Sequence, residues 1–206
     1  MGFYNRYILP TFLNCACGTK PMRYQRQKVV PLARGVVLEI GIGSGLNLPF
    51  YKDSQVEKIW GLDPSEELNH MARKVASSID IDVDFLMSGA EEIFLPSDSV
   101  DTVLITYTLC TIPDANSAIQ EMKRVLKPSG KMIFCEHGLA PDKNVANWQE
   151  RITPFWKKIA GGCLLNRNIP NLIEENGFKI QKLETMYLPS TPKIAGFNYW
   201  GKALPN

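Results

Sequence analysis

One stretch near the start of the chain constrains the fold more than any other. Residues 36–47 read VVLEIGIGSGLN, so an apolar run leads directly into glycines at alternate positions. A short apolar run that ends in glycines predicts a buried strand followed by a tight loop. Glycine has no side chain and adopts positive φ readily, so the backbone of such a loop can approach a ligand closely. The stretch therefore predicts a ligand-binding loop at the carboxyl end of a buried strand.

Composition limits the class of protein. The 206 residues suffice for one domain with a sizeable core, and 45% hydrophobic with 21% charged residues is ordinary for a globular protein. A net charge of +2 gives no electrostatic reason to expect nucleic acid as a partner. The basic cluster at residues 23–28 is typical of a solvated helix face. No apolar run approaches the ~20 residues of a membrane-spanning helix, so we expect no transmembrane segment, although peripheral membrane contact stays open.

The cysteines indicate the redox compartment. The five cysteines are irregularly spaced, and no secretory signal is visible, which favours a cytoplasmic location over a disulfide scaffold. A single residue separates Cys15 from Cys17, whereas zinc-binding cysteines are usually spaced by two to four, and no second pair follows. We therefore expect no metal.

Two segments are expected from the hydrophobic periodicity. Residues 1–35 carry a helix-like apolar stripe that is interrupted at Pro10, and we expect an N-terminal helical segment capping the core. Residues 36–206 then form the main domain. In it, strand-like and helix-like patterns alternate up to about residue 137, which predicts a parallel sheet with helices on both faces. Two strand-like stretches at 178–188 and 194–203 lack a long helix between them, so they should pair antiparallel.

An acidic residue after the second strand indicates what the glycine loop binds. Asp63 is well placed to accept hydrogen bonds from the two hydroxyls of a ribose. Dinucleotide sites prefer the spacing G-x-G-x-x-G, but Leu46 stands where the third glycine should be. No phosphate-binding G-x-x-x-x-G-K-[ST] motif is present either. Glu39, the glycine spacing and Asp63 together favour a nucleoside ligand and disfavour a nicotinamide-dependent oxidoreductase.

Four spaced motifs carry a resemblance to a known family. LEIGIGSG at 38–45 resembles the first motif of class I S-adenosylmethionine-dependent methyltransferases, and GLDPS at 61–65 resembles their ribose-binding loop. GAE at 89–91 and VLKPSG at 125–130 are similar to their adenine-side loop and to the turn before their fifth strand. The resemblance implies an α/β, Rossmann-like three-layer sandwich with a mostly parallel seven-stranded sheet and an antiparallel last strand. It also implies S-adenosylmethionine as cofactor.

A narrower resemblance extends over nearly the whole chain. GLNLPFY at 45–51, LCTIPD at 109–114, EHG at 136–138, TPFW at 153–156 and GGC at 161–163 are similar to the methyltransferase-like thiol S-methyltransferases and their bacterial relatives. This likeness implies methyl transfer to a small lipophilic acceptor, most simply a thiol.

The family pattern implies roles for individual residues. Glu39 would hold the amino-acid end of the cofactor, Asp63 the ribose, Ala90 and Glu91 the adenine, and Thr106 would lie beneath the sulfonium. The full set implied to bind the cofactor is Glu39, Gly41, Gly43, Gly45, Asp63, Ser65, Ala90, Glu91 and Thr106.

The acceptor should meet the ends of the fourth and fifth strands. Tyr107, Cys110 and Trp156 are the residues expected to bind it. His137 is the obvious base near neutral pH in that region, so we expect it to act in catalysis. Trp148 and Phe155 are expected to pack in the core or to wall the acceptor pocket.

Other functions remain open at this point. A quinone-ring carbon and a phospholipid or other amine are competing acceptors, because their methyltransferases share the core motifs. A different class is an S-adenosylmethionine-binding sensor module, which would keep the glycine loop and Asp63 without an acceptor pocket.

Overall fold

The strands form one seven-stranded sheet. The computed structural model describes residues 14–206, so the apolar stripe expected at residues 4–13 lies outside the described residues. The strands are β1 (Gly35–Ile40), β2 (Val56–Leu62), β3 (Asp82–Leu86), β4 (Val100–Thr106), β5 (Leu126–His137), β6 (Phe178–Tyr187) and β7 (Phe197–Pro205). The sheet order is β3-β2-β1-β4-β5-β7-β6, and β7 is antiparallel to both of its neighbours. The prediction of a mostly parallel sheet with an antiparallel last strand is confirmed.

Helices cover both faces of this sheet. The helix α3 (Ala115–Val125) buries Ala118, Ile119 and Met122 against strand residues such as Leu38 and Phe134 on one face. A second buried cluster, which includes Val29 of α1 (Lys20–Val29) and Ala72 of α2 (Glu66–Ala76), packs on the other face. Burial on both faces explains why the central strands are almost continuously apolar. The helices are α1 (Lys20–Val29), α2 (Glu66–Ala76), α3 (Ala115–Val125), α4 (Lys143–Ile159), α5 (Ile169–Glu175) and α6 (Lys193–Gly196).

The segment after the glycine loop differs from the expectation. The sequence predicts that residues 47–51 open a helix, but the structure has only a single 3-10 turn, Leu48–Phe50. Tyr51 follows the turn in an extended conformation, and its hydroxyl donates a hydrogen bond of 2.7 Å to the buried Glu39 carboxylate. This anchor explains why the chain leaves the helical path after one turn.

The aromatic residues of α4 also differ from the expectation. Trp148 and Phe155 are 56% and 72% exposed, so the prediction that they pack in the core is wrong. They lie on the outward face of α4, whereas Gln149 and Thr153 occupy its buried face. The described residues include no helix that is both long and apolar enough to cross a bilayer.

Candidate active site

A cavity opens where the carboxyl ends of β1, β2 and β4 meet. This is the edge at which ligands bind in open parallel sheets. Its walls come from the glycine loop, from Asp63 after β2 and from the segment after β4, and Arg26 of α1 lies across it. The structure thus brings together residues that are far apart in the sequence. The predicted site residues that line the cavity are Gly41, Gly43, Asp63, Thr106 and Tyr107.

The glycines of the loop have different surroundings. Gly41 and Gly43 both have positive φ, at 69° and 55°. A Cβ atom at Gly41 would overlap the Thr108 side chain, whereas at Gly43 the nearest atom within reach is the Gly41 carbonyl oxygen at 3.9 Å. Gly41 is therefore required for packing, but the open side of Gly43 faces the cavity. A ligand fits there against bare backbone.

Asp63 is fixed at the cavity by its neighbours. Its Oδ2 accepts a hydrogen bond of 3.1 Å from the Gly43 N–H, and its Oδ1 accepts one of 2.9 Å from the Ser65 N–H. Burial raises the pKa of this carboxyl, while the two backbone N–H donors oppose the rise. Each oxygen keeps further lone pairs, so the group can still accept hydrogen bonds from a ligand. Ser65 itself caps α2 by accepting a hydrogen bond of 3.3 Å from the Leu68 N–H.

Glu39 lies behind the cavity wall. Its carboxylate accepts hydrogen bonds from Asn47 Nδ2 at 2.9 Å and from the Tyr51 hydroxyl at 2.7 Å. Asn47 Nδ2 also donates to Thr106 Oγ1 at 3.0 Å, and Asn47 lines the cavity. The buried Asn47 Oδ1 has no hydrogen-bond partner in the described residues, so it can accept from a ligand. Asn47 was not predicted as a site residue from the sequence, although its position in the loop, two residues after Gly45, could have indicated that it lies at the cavity.

The protonation of Glu39 makes stability depend on pH. Burial raises its pKa to about 7 from 4.5. Between these values the folded protein keeps a proton that the unfolded chain has released, so the free energy of unfolding falls as the pH rises through this window. Integrated over the window, the fall is about 3 kcal/mol. The neutral substitution Glu39→Gln should remove this pH-dependent contribution. Between pH 4.5 and about pH 8, the free energy of unfolding should therefore change by about 3 kcal/mol less in the variant than in the wild type, as measured by urea titration. The same pH profile in the variant would contradict this assignment.

Ala90 and Glu91 do not line this cavity. Ala90 is buried in the core after β3, and Glu91 Oε1 accepts a hydrogen bond of 3.3 Å from the Asp114 N–H. Their proposed contact with adenine remains a prediction.

Arg26 was not predicted as a site residue from the sequence. The basic cluster was expected to be a solvated face, but Arg26 is only 5% exposed. Its Nη1 donates a hydrogen bond of 2.7 Å to the Cys17 carbonyl, and its guanidinium lies 5.0 Å from the centre of the Tyr107 ring. Arg26 Nε has no partner in the described residues. The cavity therefore contains a buried cation that the sequence did not reveal.

Two charged side chains hold the segment after β4. Glu136 Oε1 accepts hydrogen bonds from the N–H groups of Thr108 and Leu109, at 2.7 and 3.1 Å. Arg167 Nη1 donates to the carbonyl of Leu109 and, at 3.0 Å, to that of Ile112. Burial raises the pKa of Glu136 to about 7, against the effect of these N–H donors. The segment that carries Cys110 is thereby fixed from both sides.

Next to this segment, Cys110, His137 and Cys163 form a buried cluster. His137 Nε2 lies 3.2 Å from Cys163 Sγ, and the three ligating atoms all lie within 4.8 Å of one another. The pKa of Cys163 is lowered to about 4, chiefly by a hydrogen bond from Cys110. Burial opposes this shift, and His137 adds to it. Burial lowers the pKa of His137, but Cys163 and Glu136 outweigh it and the net direction is upward. Trp156 packs against the apolar side of this cluster.

The cluster adjoins the cavity but does not line it. The cavity wall includes Thr108 and Thr111, which flank Cys110 in the chain. Cys17 lines the cavity as well, and it interacts electrostatically with Cys163. The sequence predicted Cys110, His137 and Trp156 as acceptor-end residues, and the structure brings them together around Cys163. Cys163 itself received no role from the sequence, although it belongs to the motif GGC at 161–163 that contributes to the narrower resemblance.

Comparisons with known proteins agree with this geometry. Residues 38–134 match the methyltransferase domain family. The thiol S-methyltransferase TMT1B of Rattus norvegicus is 32% identical over 78% of this chain and 68% of its own length. The phosphatidylethanolamine N-methyltransferase of Cereibacter sphaeroides is 31% identical over 53% of each chain.

A solved structure supports the fold. The methyltransferase in the complex with the Trm112 activator of Haloferax volcanii aligns with a TM-score of 0.69 at 16% identity, covering 97% of this chain and 96% of that one. At this identity the likeness concerns the fold alone. The family rests instead on the sequence relatives, of which TMT1B is 32% identical over 78% of this chain. The chain is therefore a class I S-adenosylmethionine-dependent methyltransferase, and it belongs to the family that includes the thiol S-methyltransferase TMT1B.

Proposed function

We propose that the protein transfers a methyl group from S-adenosylmethionine to a small lipophilic thiol. The observation that carries this proposal is the identity of 32% to a thiol S-methyltransferase over 78% of the chain. The amine methyltransferase, by contrast, matches over only 53% of the chain. The apolar surroundings of the acceptor end, with Trp156, Ile152 and Leu165, suit a lipophilic molecule.

The charges in the cavity match the two ends of the cofactor. S-adenosylmethionine supplies an electrophilic methyl group on a sulfonium when it is bound. Asp63 accepts hydrogen bonds from the ribose hydroxyls, and the bare backbone of Gly43 allows close approach. At the other end, Arg26 provides a cation for a carboxylate and Asn47 Oδ1 provides an acceptor for an ammonium group. Glu39 acts through Asn47, whose amide it orients, rather than by direct contact.

Methyl transfer to a thiol needs little activation of the acceptor. A free thiol has a pKa near ~8.5, so a small shift provides a thiolate. The positioning of two reactants in one closed site supplies much of the rate, on the order of 7–11 kcal/mol. We propose that His137, together with Cys163, acts on the acceptor at this end. Because the cysteines are all unpaired, we also propose a reducing compartment such as the cytoplasm.

A panel of acceptors tests the proposal. The purified chain is incubated with S-adenosylmethionine and either an alkyl thiol, its matched alcohol, a primary amine or a quinol, and the products are measured by mass spectrometry. We expect the methyl thioether and S-adenosylhomocysteine from the thiol alone, at a rate that increases towards the thiol pKa of ~8.5. Methylation of the amine or the quinol without the thiol would refute the proposed acceptor. Binding of S-adenosylmethionine without any turnover would indicate a sensor module instead.

A further inference from the structure

We propose that Cys110, His137 and Cys163 form a mononuclear zinc site whose open coordination position binds the sulfur of the acceptor. The inference rests on the proposed thiol acceptor and extends it to the way in which that thiol is activated. It departs from the expectation of no metal, which considered only the linear spacing of Cys15 and Cys17.

The three side chains are held in place before any metal binds. Cys110 lies in the segment that Glu136 and Arg167 clamp, and its carbonyl accepts a hydrogen bond of 2.9 Å from the Leu164 N–H. That bond ties the Cys110 segment directly to the residue after Cys163. His137 is the last residue of β5, next to Glu136. All three side chains are at most 8% exposed, so little freedom is lost on ligation.

The distances suit a single small cation. With Zn–N of about 2.0–2.1 Å and Zn–S of about 2.3 Å in a tetrahedron, two ligand atoms of one zinc ion lie roughly 3.5–3.8 Å apart. In the structure His137 Nε2 and Cys163 Sγ are 3.2 Å apart, and all three ligating atoms lie within 4.8 Å of one another. Shifts of up to about 1 Å bring the set to zinc geometry.

The chemistry of the ligands selects the metal. Two thiolates and an imidazole favour Zn²⁺ over Mg²⁺ or Ca²⁺, which prefer oxygen ligands. Two thiolates also neutralise a divalent cation, and the surrounding residues Ala160, Leu165 and Trp156 are mostly apolar. Neutrality matters because an uncompensated charge in such surroundings is costly.

Three protein ligands leave one tetrahedral position for the substrate, as in catalytic zinc sites. A thiol that coordinates zinc loses its proton to solvent, since metal ligation strongly favours the thiolate. The thiolate sulfur then forms a bond to the methyl carbon, while the bond between that carbon and the sulfonium breaks and its electron pair stays on the departing S-adenosylhomocysteine. The balance is thiol plus S-adenosylmethionine giving thioether, S-adenosylhomocysteine and one proton. No oxidant or reductant is needed.

Metal binding can be measured without activity. The full chain is reduced, treated with a chelator and titrated with Zn²⁺ in competition with a chromophoric chelator, and then separately with Co²⁺. We expect one zinc per chain and a sulfur-to-cobalt charge-transfer absorption. Cys163→Ser and His137→Ala should weaken zinc binding by at least about 100-fold, while the exposed Cys15→Ser should not change it. Wild-type protein that binds no zinc, or gives no charge-transfer band, would overturn the site.

Two controls separate misfolding and loss of function from loss of metal. S-adenosylmethionine affinity should be kept in both ligand variants, because neither residue lines the cofactor cavity. Thiol methylation at full rate by zinc-free protein would overturn the proposed role of zinc in activating the thiol and leave the proposed function intact. Tight zinc binding without thiol methylation would instead overturn the proposed acceptor, and with it the role of the open position.

Discussion

Gly43→Ala is expected to weaken S-adenosylmethionine binding by on the order of 100-fold, or about 2.8 kcal/mol, with a much smaller effect on folding. The new methyl group would point into the cavity, where the nearest atom within reach is the Gly41 carbonyl oxygen at 3.9 Å. It would thus occupy space that the ligand needs without overlapping any other atom of the protein. The positive φ of 55° costs an alanine about 1 kcal/mol of folding free energy. Calorimetry with the cofactor and urea denaturation measure the two quantities.

Gly41→Ala is the matched comparison, because its new methyl group would overlap the Thr108 side chain. The variant should lose more folding free energy than Gly43→Ala, since an overlap in a packed region forces neighbours to move. Similar stability losses in the two variants, or unchanged cofactor affinity in Gly43→Ala, would refute the view that a methyl group added at Gly43 meets the ligand, whereas one added at Gly41 meets the protein.

Asp63→Ala is expected to weaken cofactor binding by about 1–3 kcal/mol, which is roughly 5- to 150-fold. A charged acceptor for the ribose hydroxyls is lost. The Gly43 and Ser65 N–H groups also lose their acceptor, so the glycine loop becomes less ordered. Both effects weaken the affinity for the cofactor, which calorimetry measures. Turnover at saturating cofactor should fall less.

Two further variants separate these effects. Asp63→Asn keeps one oxygen acceptor and removes the charge, so its affinity should lie between those of wild type and Asp63→Ala. Asp80→Ala removes an exposed acid elsewhere on the surface and should change nothing. If Asp63→Ala binds S-adenosylmethionine as tightly as Asp80→Ala does, the ribose assignment fails.

Local sequence was sufficient for two residues of the cavity wall, Gly43 and Asp63. Asp63 follows β2 directly and Gly43 lies three residues after β1, and parallel strands bring their carboxyl ends to one edge of the sheet. Two neighbouring strand ends therefore predict two neighbouring functional residues. The Gly43 N–H and Asp63 Oδ2 are indeed 3.1 Å apart.

Local sequence was insufficient where a residue's surroundings come from another element. The cluster at residues 23–28 has the pattern of a solvated face, yet Arg26 is buried, since α1 packs across the sheet beside Tyr107. Trp148 and Phe155 look like core residues, yet they are exposed because α4 buries the face that carries Gln149 and Thr153. Which face of a helix is buried depends on the helix's neighbours, and composition does not reveal them.

The sequence by itself determined the alternation of strands and helices, the glycine loop and the acid after β2, because these depend on short-range patterns. These patterns indicated a nucleoside ligand, and the resemblance to class I methyltransferases implied S-adenosylmethionine as the methyl donor. Only the tertiary structure decided what lies at the acceptor end. Cys163 and His137 are 26 residues apart, and they meet because the segment after β5 returns to the clamped loop after β4. Contacts between distant segments depend on how the whole chain packs, so the spacing of cysteines and histidines along the chain did not predict this cluster.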